Sequence, residues 1–104
     1  MEKLRFSIEE RLVAVTILEE IDHHAARSLR EEIDRLLFKH RPKTLVLDFS
    51  SVRFMDSSGL GLIIGRAEIS KSIGATLEIR GLSPMLLRLV RLGGVEKIEN
   101  IRIV

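Results

Sequence analysis

Asp56, Ser57 and Ser58 set two hydroxyls beside a carboxylate, and Gly59, Gly61 and Gly65 follow them through the apolar stretch "FMDSSGLGLIIG", residues 54–65. Three chemistries use such residues: a phosphate-cradling glycine loop, a nucleophilic serine, and a serine that receives a phosphoryl group from another protein. A Walker-type loop ends in Gly-Lys-Ser/Thr, whereas Leu62, Ile63 and Ile64 stand here. The glycines are spaced GxGxxxG, one residue longer than the dinucleotide fingerprint. The packing alternative has Gly59 and Gly61 bringing a first helical turn close to a strand, with Gly65 admitting tight helix packing. A nucleophile elbow needs glycine two residues before its serine, but Met55 and Asp56 occupy those places. A triad assembled from Ser57, His23 or His24, and Asp22 has no spacing that marks it. No catalytic set is assigned.

The remaining polar residues narrow the chemistry further. His23 and His24 are adjacent, so on a helix they diverge by about 100° and do not form the i, i+4 pair of a zinc helix. We expect them in a first helical turn, one partly packed and one solvated, with no metal. Lys39, His40, Arg41 and Lys43 form a basic cluster that reads as a solvated loop. The absence of Cys removes thiolate chemistry, disulfides and Cys-ligated zinc, and suits a reducing compartment. Lys and Arg number 17 against 15 for Asp and Glu, which leaves no large one-sign field for nucleic acid or anionic membrane. The four aromatics, all Phe, are too scattered to stack bases. "MEKLRFSIEE" turns acidic where a signal peptide would be apolar, and no run approaches the roughly 20 apolar residues of a membrane span. These features predict a cytoplasmic protein without nucleic-acid or membrane partners.

The elements that must hold the 54–65 stretch can be read from periodicity. At this length, residues 1–104 make one domain. "KLRFSIEE" and "RLVAVTILEEI" are β-branched and alternating or continuous in apolar character, which predicts a hairpin turning at "EER". From His23 the period changes: Ala26, Leu29, Ile33, Leu36 and Leu37 fall at helical spacing while Arg27, Arg30, Glu31 and Asp34 lie mostly on the other faces, with Asp22 placed to cap. After Pro42, "TLVLDFS" reads as a central strand covered on both faces. A helix from about Ser58 to Ser72 follows, then the strand "IGATLEIRG" opened by Gly74. The next helix has Ser83 as cap, Pro84 in its first turn and Gly93 at its end, and a final strand spans Ile101 to Val104. The order β-β-α-β-α-β-α-β predicts an α/β domain: a mixed, mostly parallel sheet with helices packed on it.

Ser57 and Ser58 thus stand at a strand-to-helix junction, where either hydroxyl can serve as helix cap. Phosphorylation there adds about 1.5 to 2 negative charges. The helix dipole and free N–H donors favour that charge, Asp56 partly opposes it, and the main effect falls on a bound partner.

"FMDSSGLGLIIGR", with "TLVLDFSSV" and "EIDHHAARSLREEI" before it, closely resembles the sporulation-type anti-sigma factor antagonists, or anti-anti-sigma factors, of the STAS domain family. The resemblance covers nearly the whole chain; Asp56-Ser57-Ser58-Gly59-Leu60-Gly61 is its most specific part, and Asp22-His23-His24 leans toward the sporulation branch. It implies a partner-switching protein with no catalysis or cofactor of its own. The unphosphorylated form binds an anti-sigma factor that is also a serine kinase, displacing the sigma factor; the kinase phosphorylates the antagonist and releases it, and a PP2C-type phosphatase restores it. By position, the resemblance makes Ser57 the phosphoacceptor and turns Asp22, Asp56, Ser57, Ser58 and Gly59 toward the partner. Many relatives carry a further C-terminal helix that this sequence lacks. An alternative is a nucleotide-sensing or scaffolding STAS module, motivated by the glycines and by Arg41 and Lys43.

Overall fold

The computed structural model describes residues 2–104. The chain runs β1 (Leu4–Glu9), β2 (Leu12–Ile17), α1 (His23–His40), β3 (Thr44–Asp48), α2 (Ser57–Ser72), β4 (Thr76–Arg80), α3 (Pro84–Leu92), a 3₁₀ turn (Val95–Lys97) and β5 (Ile101–Ile103). This is the α/β order expected from periodicity, with the 3₁₀ turn added and the last strand one residue shorter. The strands lie in sequence order; β1 is antiparallel to β2, and the other neighbours are parallel. The hairpin turns on Arg11, whose φ of 63° is left-handed without glycine. Its carbonyl accepts from the Lys43 and Thr44 N–H groups at 2.8 and 3.1 Å, so the turn also fixes where β3 begins.

Register builds the core. Val13, Leu45, Leu77 and Ile101 form one row across the parallel strands, and Val15, Leu47, Ile79 and Ile103 the next. Onto these rows pack Leu29, Ile33 and Leu37 of α1, Leu62, Ile63 and Ala67 of α2, and Leu86 and Val90 of α3. Every parallel crossover steps one strand in the same direction, so right-handed connections put all three helices on one face. The molecule is accordingly 20 Å thin, one sheet and one helix layer. The intervening row Ala14, Val46, Glu78, Arg102 lies on the opposite face. This corrects the expectation that helices cover both faces of β3, although Val46 is still only 2 % exposed.

Helix α1 buries Ala25 with Leu29, Ile33 and Leu37 in strict i, i+4 steps, while Ala26 and Leu36, expected in the core, sit at its margin. An ion pair joins α1 to α2: Asp34 Oδ1 lies 2.7 Å from Arg66 Nε, with Arg66 buried on the helix interface. Burial dominates and holds the Asp34 carboxyl above the ordinary aspartate range, with Arg66 and Arg30 opposing it. Helix α3 matches its sequence signals, with the Ser83 hydroxyl accepting from the Leu86 N–H at 3.2 Å and Gly93 closing the end.

Candidate functional site: two bridged helix starts

The loops after β2 and β3 are joined to each other. The Ile21 N–H donates to the Phe54 carbonyl at 3.0 Å, and the Asp56 N–H donates to the Ile21 carbonyl at 3.1 Å, a one-step parallel bridge between Ile21 and Met55. Both side chains are buried, and the Arg53 N–H adds a 3.0 Å bond to Glu20 Oε1 across the same two loops. The next residue on each side is an aspartate that caps a helix. Asp22 accepts from the Ala25 N–H and Asp56 from the Ser58 N–H, each at 2.8 Å, with nearly the same backbone angles. The bridge therefore sets the starts of α1 and α2 side by side at the carboxyl ends of β2 and β3, the end of a parallel sheet where sites gather.

Asp56, rather than either serine, is the cap of α2, because its short carboxylate reaches a first-turn N–H while Ser57 is already helical. Ser57 is exposed, and among the described residues its hydroxyl makes no hydrogen bond. Ser58 is half-buried. Gly59 is buried, and a Cβ there would sit 2.0 Å from Met55 Cγ, so it serves close packing against the bridge. Gly61 and Gly65 behave otherwise: a Cβ at either would meet nothing within 4 Å. The close-packing reading thus holds for Gly59, against a loop rather than a strand, and fails for the other two. The expectation of free first-turn donors holds in part: the Ser58 N–H donates to the Asp56 carboxylate and the Gly59 N–H to the Asp56 carbonyl, while the Ser57 N–H makes no hydrogen bond among the described residues.

His23 and His24 are both exposed, with their rings edge-to-face at 6.0 Å, so neither is packed as expected. Among the described residues no side-chain hydrogen bond links either imidazole to Ser57 or to Asp22, the His24 contact with Asp22 being made by its backbone N–H, and a triad geometry is not formed. Of the basic cluster expected in a loop, Lys39 and His40 lie in the last turn of α1, Arg41 caps it and only Lys43 stands beyond, all at the helix end about 27 Å from its start at 1.5 Å per residue. They cannot share one ligand with the glycine junction. What periodicity missed is a cationic groove between α1 and α2, lined by His23, Arg27, Arg30, Ser58, Gly61, Gly65 and Arg66. The i, i+3 spacing of Arg27 and Arg30 was its one visible trace.

Asp22 carries a testable electrostatic consequence. The Ala25 N–H holds its carboxyl below the ordinary aspartate range near about 3.9. The unfolded chain therefore binds that proton more readily, so the cap's contribution is whole above about pH 4 and is lost as pH falls through the lowered folded value. Asp22→Asn keeps an acceptor but not the titration. Melting curves of the two proteins converge as pH drops from 6 toward 3; a constant gap would contradict this role.

Residues 3–103 match the STAS domain family. This chain belongs to that family. It is 31 % identical over 90 residues to the anti-sigma F factor antagonist of Paenibacillus polymyxa, covering 86 % of this chain and 77 % of that one. It is 34 % identical over 92 residues to the anti-sigma-B factor antagonist of Bacillus subtilis (strain 168), covering 88 % and 83 %. The fold of this STAS domain superposes on the antagonist SpoIIAA in its unphosphorylated form with a TM-score of 0.82 at 24 % identity, covering 97 % of this chain and 87 % of that one. For the phosphorylated form, from Bacillus, the TM-score is 0.74 at 24 % identity, covering 97 % and 90 %. No described helix is long and apolar enough to cross a membrane.

Proposed function

We propose that this STAS domain is an anti-sigma factor antagonist, acting in the cytoplasm, whose grip on an anti-sigma factor serine kinase is released when Ser57 is phosphorylated. The observation that carries the reading is an exposed, unbonded Ser57 hydroxyl on the first turn of α2, held on a bridged platform beside two carboxylates. In the transfer, Ser57 Oγ forms the new bond to the γ-phosphorus of ATP, ADP leaves, and the hydroxyl proton passes to a base of the kinase. This chain supplies the acceptor and no catalytic group. A PP2C-type phosphatase hydrolyses the ester and restores the hydroxyl.

The carboxylate of Asp56 occupies a donor that a phosphate would otherwise take, so the added charge is left facing the partner. Asp22, Asp56, Ser57 and Ser58 form the contact surface, with Gly59 beneath them fixing the turn. Asp22-His23-His24 favours a sporulation sigma factor over a general-stress one. A nucleotide-sensing role built on both motivating features is disfavoured, since the glycine junction and the basic residues at Arg41 and Lys43 lie at opposite ends of α1.

Incubation with the kinase and ATP, followed by peptide mass spectrometry, is expected to place one phosphate on Ser57 and none on Ser57→Ala. Phosphate on Ser58, or none with a competent kinase present, overturns the assignment.

A further inference from the structure

Gly61 and Gly65 sit in the interior of α2, where glycine weakens a helix, yet neither has a packing neighbour that would exclude a Cβ. Both floor the groove between α1 and α2, a space of about 540 Å³. Its walls carry three guanidinium groups. Arg27 and Arg30, one turn apart on α1, are exposed and form no ion pair within 4 Å among the described residues, Arg30 acting on Asp34 only at longer range. Arg66 is 4 % exposed, spends one edge on Asp34, and otherwise reaches only the Leu62 carbonyl at 3.5 Å, leaving donors unused. Arg30 and Arg66 repel each other, and both act on the Asp34 carboxylate, with Glu68 also attracting Arg66, so these two cations are partly compensated while Arg27 is not.

The form of an anion suited to these walls follows from what is already taken. One first-turn N–H of each helix is taken by a carboxylate, Ala25 by Asp22 and Ser58 by Asp56, and these two carboxylates repel a phosphate. Ser58 to Arg66 spans about 12 Å of helix, the reach of three or four extended residues. Guanidiniums spaced along that length suit successive carboxylates, and the absent Cβ atoms suit a peptide backbone lying against α2. We propose that this groove seats an acidic segment of the anti-sigma factor, continuous with the Ser57 surface through Ser58. The inference rests on the function proposed above and names where the complex gains affinity beyond the switch.

Two measurements test it. In the first, ¹⁵N-labelled protein is titrated with a hexaglutamate peptide, and separately with hexalysine, inorganic phosphate and ADP. Saturable shifts of the Gly61 and Gly65 amides are expected with hexaglutamate alone, and are lost in the Arg27→Glu, Arg30→Glu double variant. No shift, a shift that survives charge reversal, or a shift with phosphate or ADP in place of the peptide overturns the proposal. In the second, calorimetry with the anti-sigma factor is expected to show that the charge-reversed variant and the Gly61→Ala, Gly65→Ala variant each lose about tenfold or more in affinity. The alanine variant melts a few degrees higher than wild type, so its loss is not a folding defect. Unchanged affinity in both variants, with Ser57→Asp still blocking binding, removes the groove and leaves the Ser57 reading intact. Failure of wild type to bind any anti-sigma factor removes that reading, while the peptide titration still reports on the groove.

Discussion

Ser57→Asp is expected to weaken the complex with the anti-sigma kinase by a hundredfold or more, about 3 kcal/mol. The added carboxylate joins Asp22 and Asp56 on one small surface, and the bridge between Ile21 and Met55 leaves the platform little freedom to move it away. A partner surface shaped for a neutral hydroxyl then meets an unpaired charge that must be desolvated or excluded. Ser57→Ala, by contrast, keeps near-native affinity, because the hydroxyl makes no bond within the domain, but its complex does not dissociate when ATP is added. Calorimetry of the three proteins, with and without ATP, reads both effects. Equal affinities for wild type and Ser57→Asp would contradict the charge mechanism. The two aspartates make the expected loss larger than charge on an isolated serine would give, and high salt should narrow it.

Phe49→Ala is expected to destabilise the fold by about 3–5 kcal/mol. Phe49 is fully buried directly after β3, and its N–H donates to the Arg80 carbonyl at 2.8 Å. It anchors the segment that leads to Met55 and Asp56, and removing its ring leaves a cavity in a close-packed core. At roughly 4–8 °C per kcal/mol for a domain of this size, thermal melting by circular dichroism should fall by more than 10 °C. A drop of only a few degrees would mean that the loop after β3 collapses onto the core and fills the cavity.

How much of this could be read from residues alone depended on range. Element order, the caps by Asp22 and Ser83, and the helix starting within one residue of Ser58 rest on local patterns, and those were legible. Assigning the cap to a serine failed by one position, because Asp56 and the two serines are all good caps and only backbone geometry decides which of them is non-helical. Ala25 displaced Ala26 from the core because a period of 3.6 leaves neighbouring alanines nearly equivalent until the packed face is fixed. The bridge of Ile21 to Met55, the ion pair of Asp34 with Arg66, and the groove were not legible at all. Each joins residues about thirty apart, and nothing in either segment specifies the other. The glycines show the same limit, since close packing and open space call for the same residue, and only the neighbours tell Gly59 from Gly61 and Gly65.

The bridge between Ile21 and Met55 has a dynamic consequence. Because the Ile21 N–H and the Asp56 N–H are each bonded across the gap, neither loop can open to solvent without breaking the other's protection. The two helix starts therefore form one cooperative opening unit, with a single local unfolding free energy shared by residues far apart in the chain. A partner that holds down only the α2 start is expected to slow amide exchange at residue 21 as well, and any local melting of that start to reach α1 through two backbone hydrogen bonds.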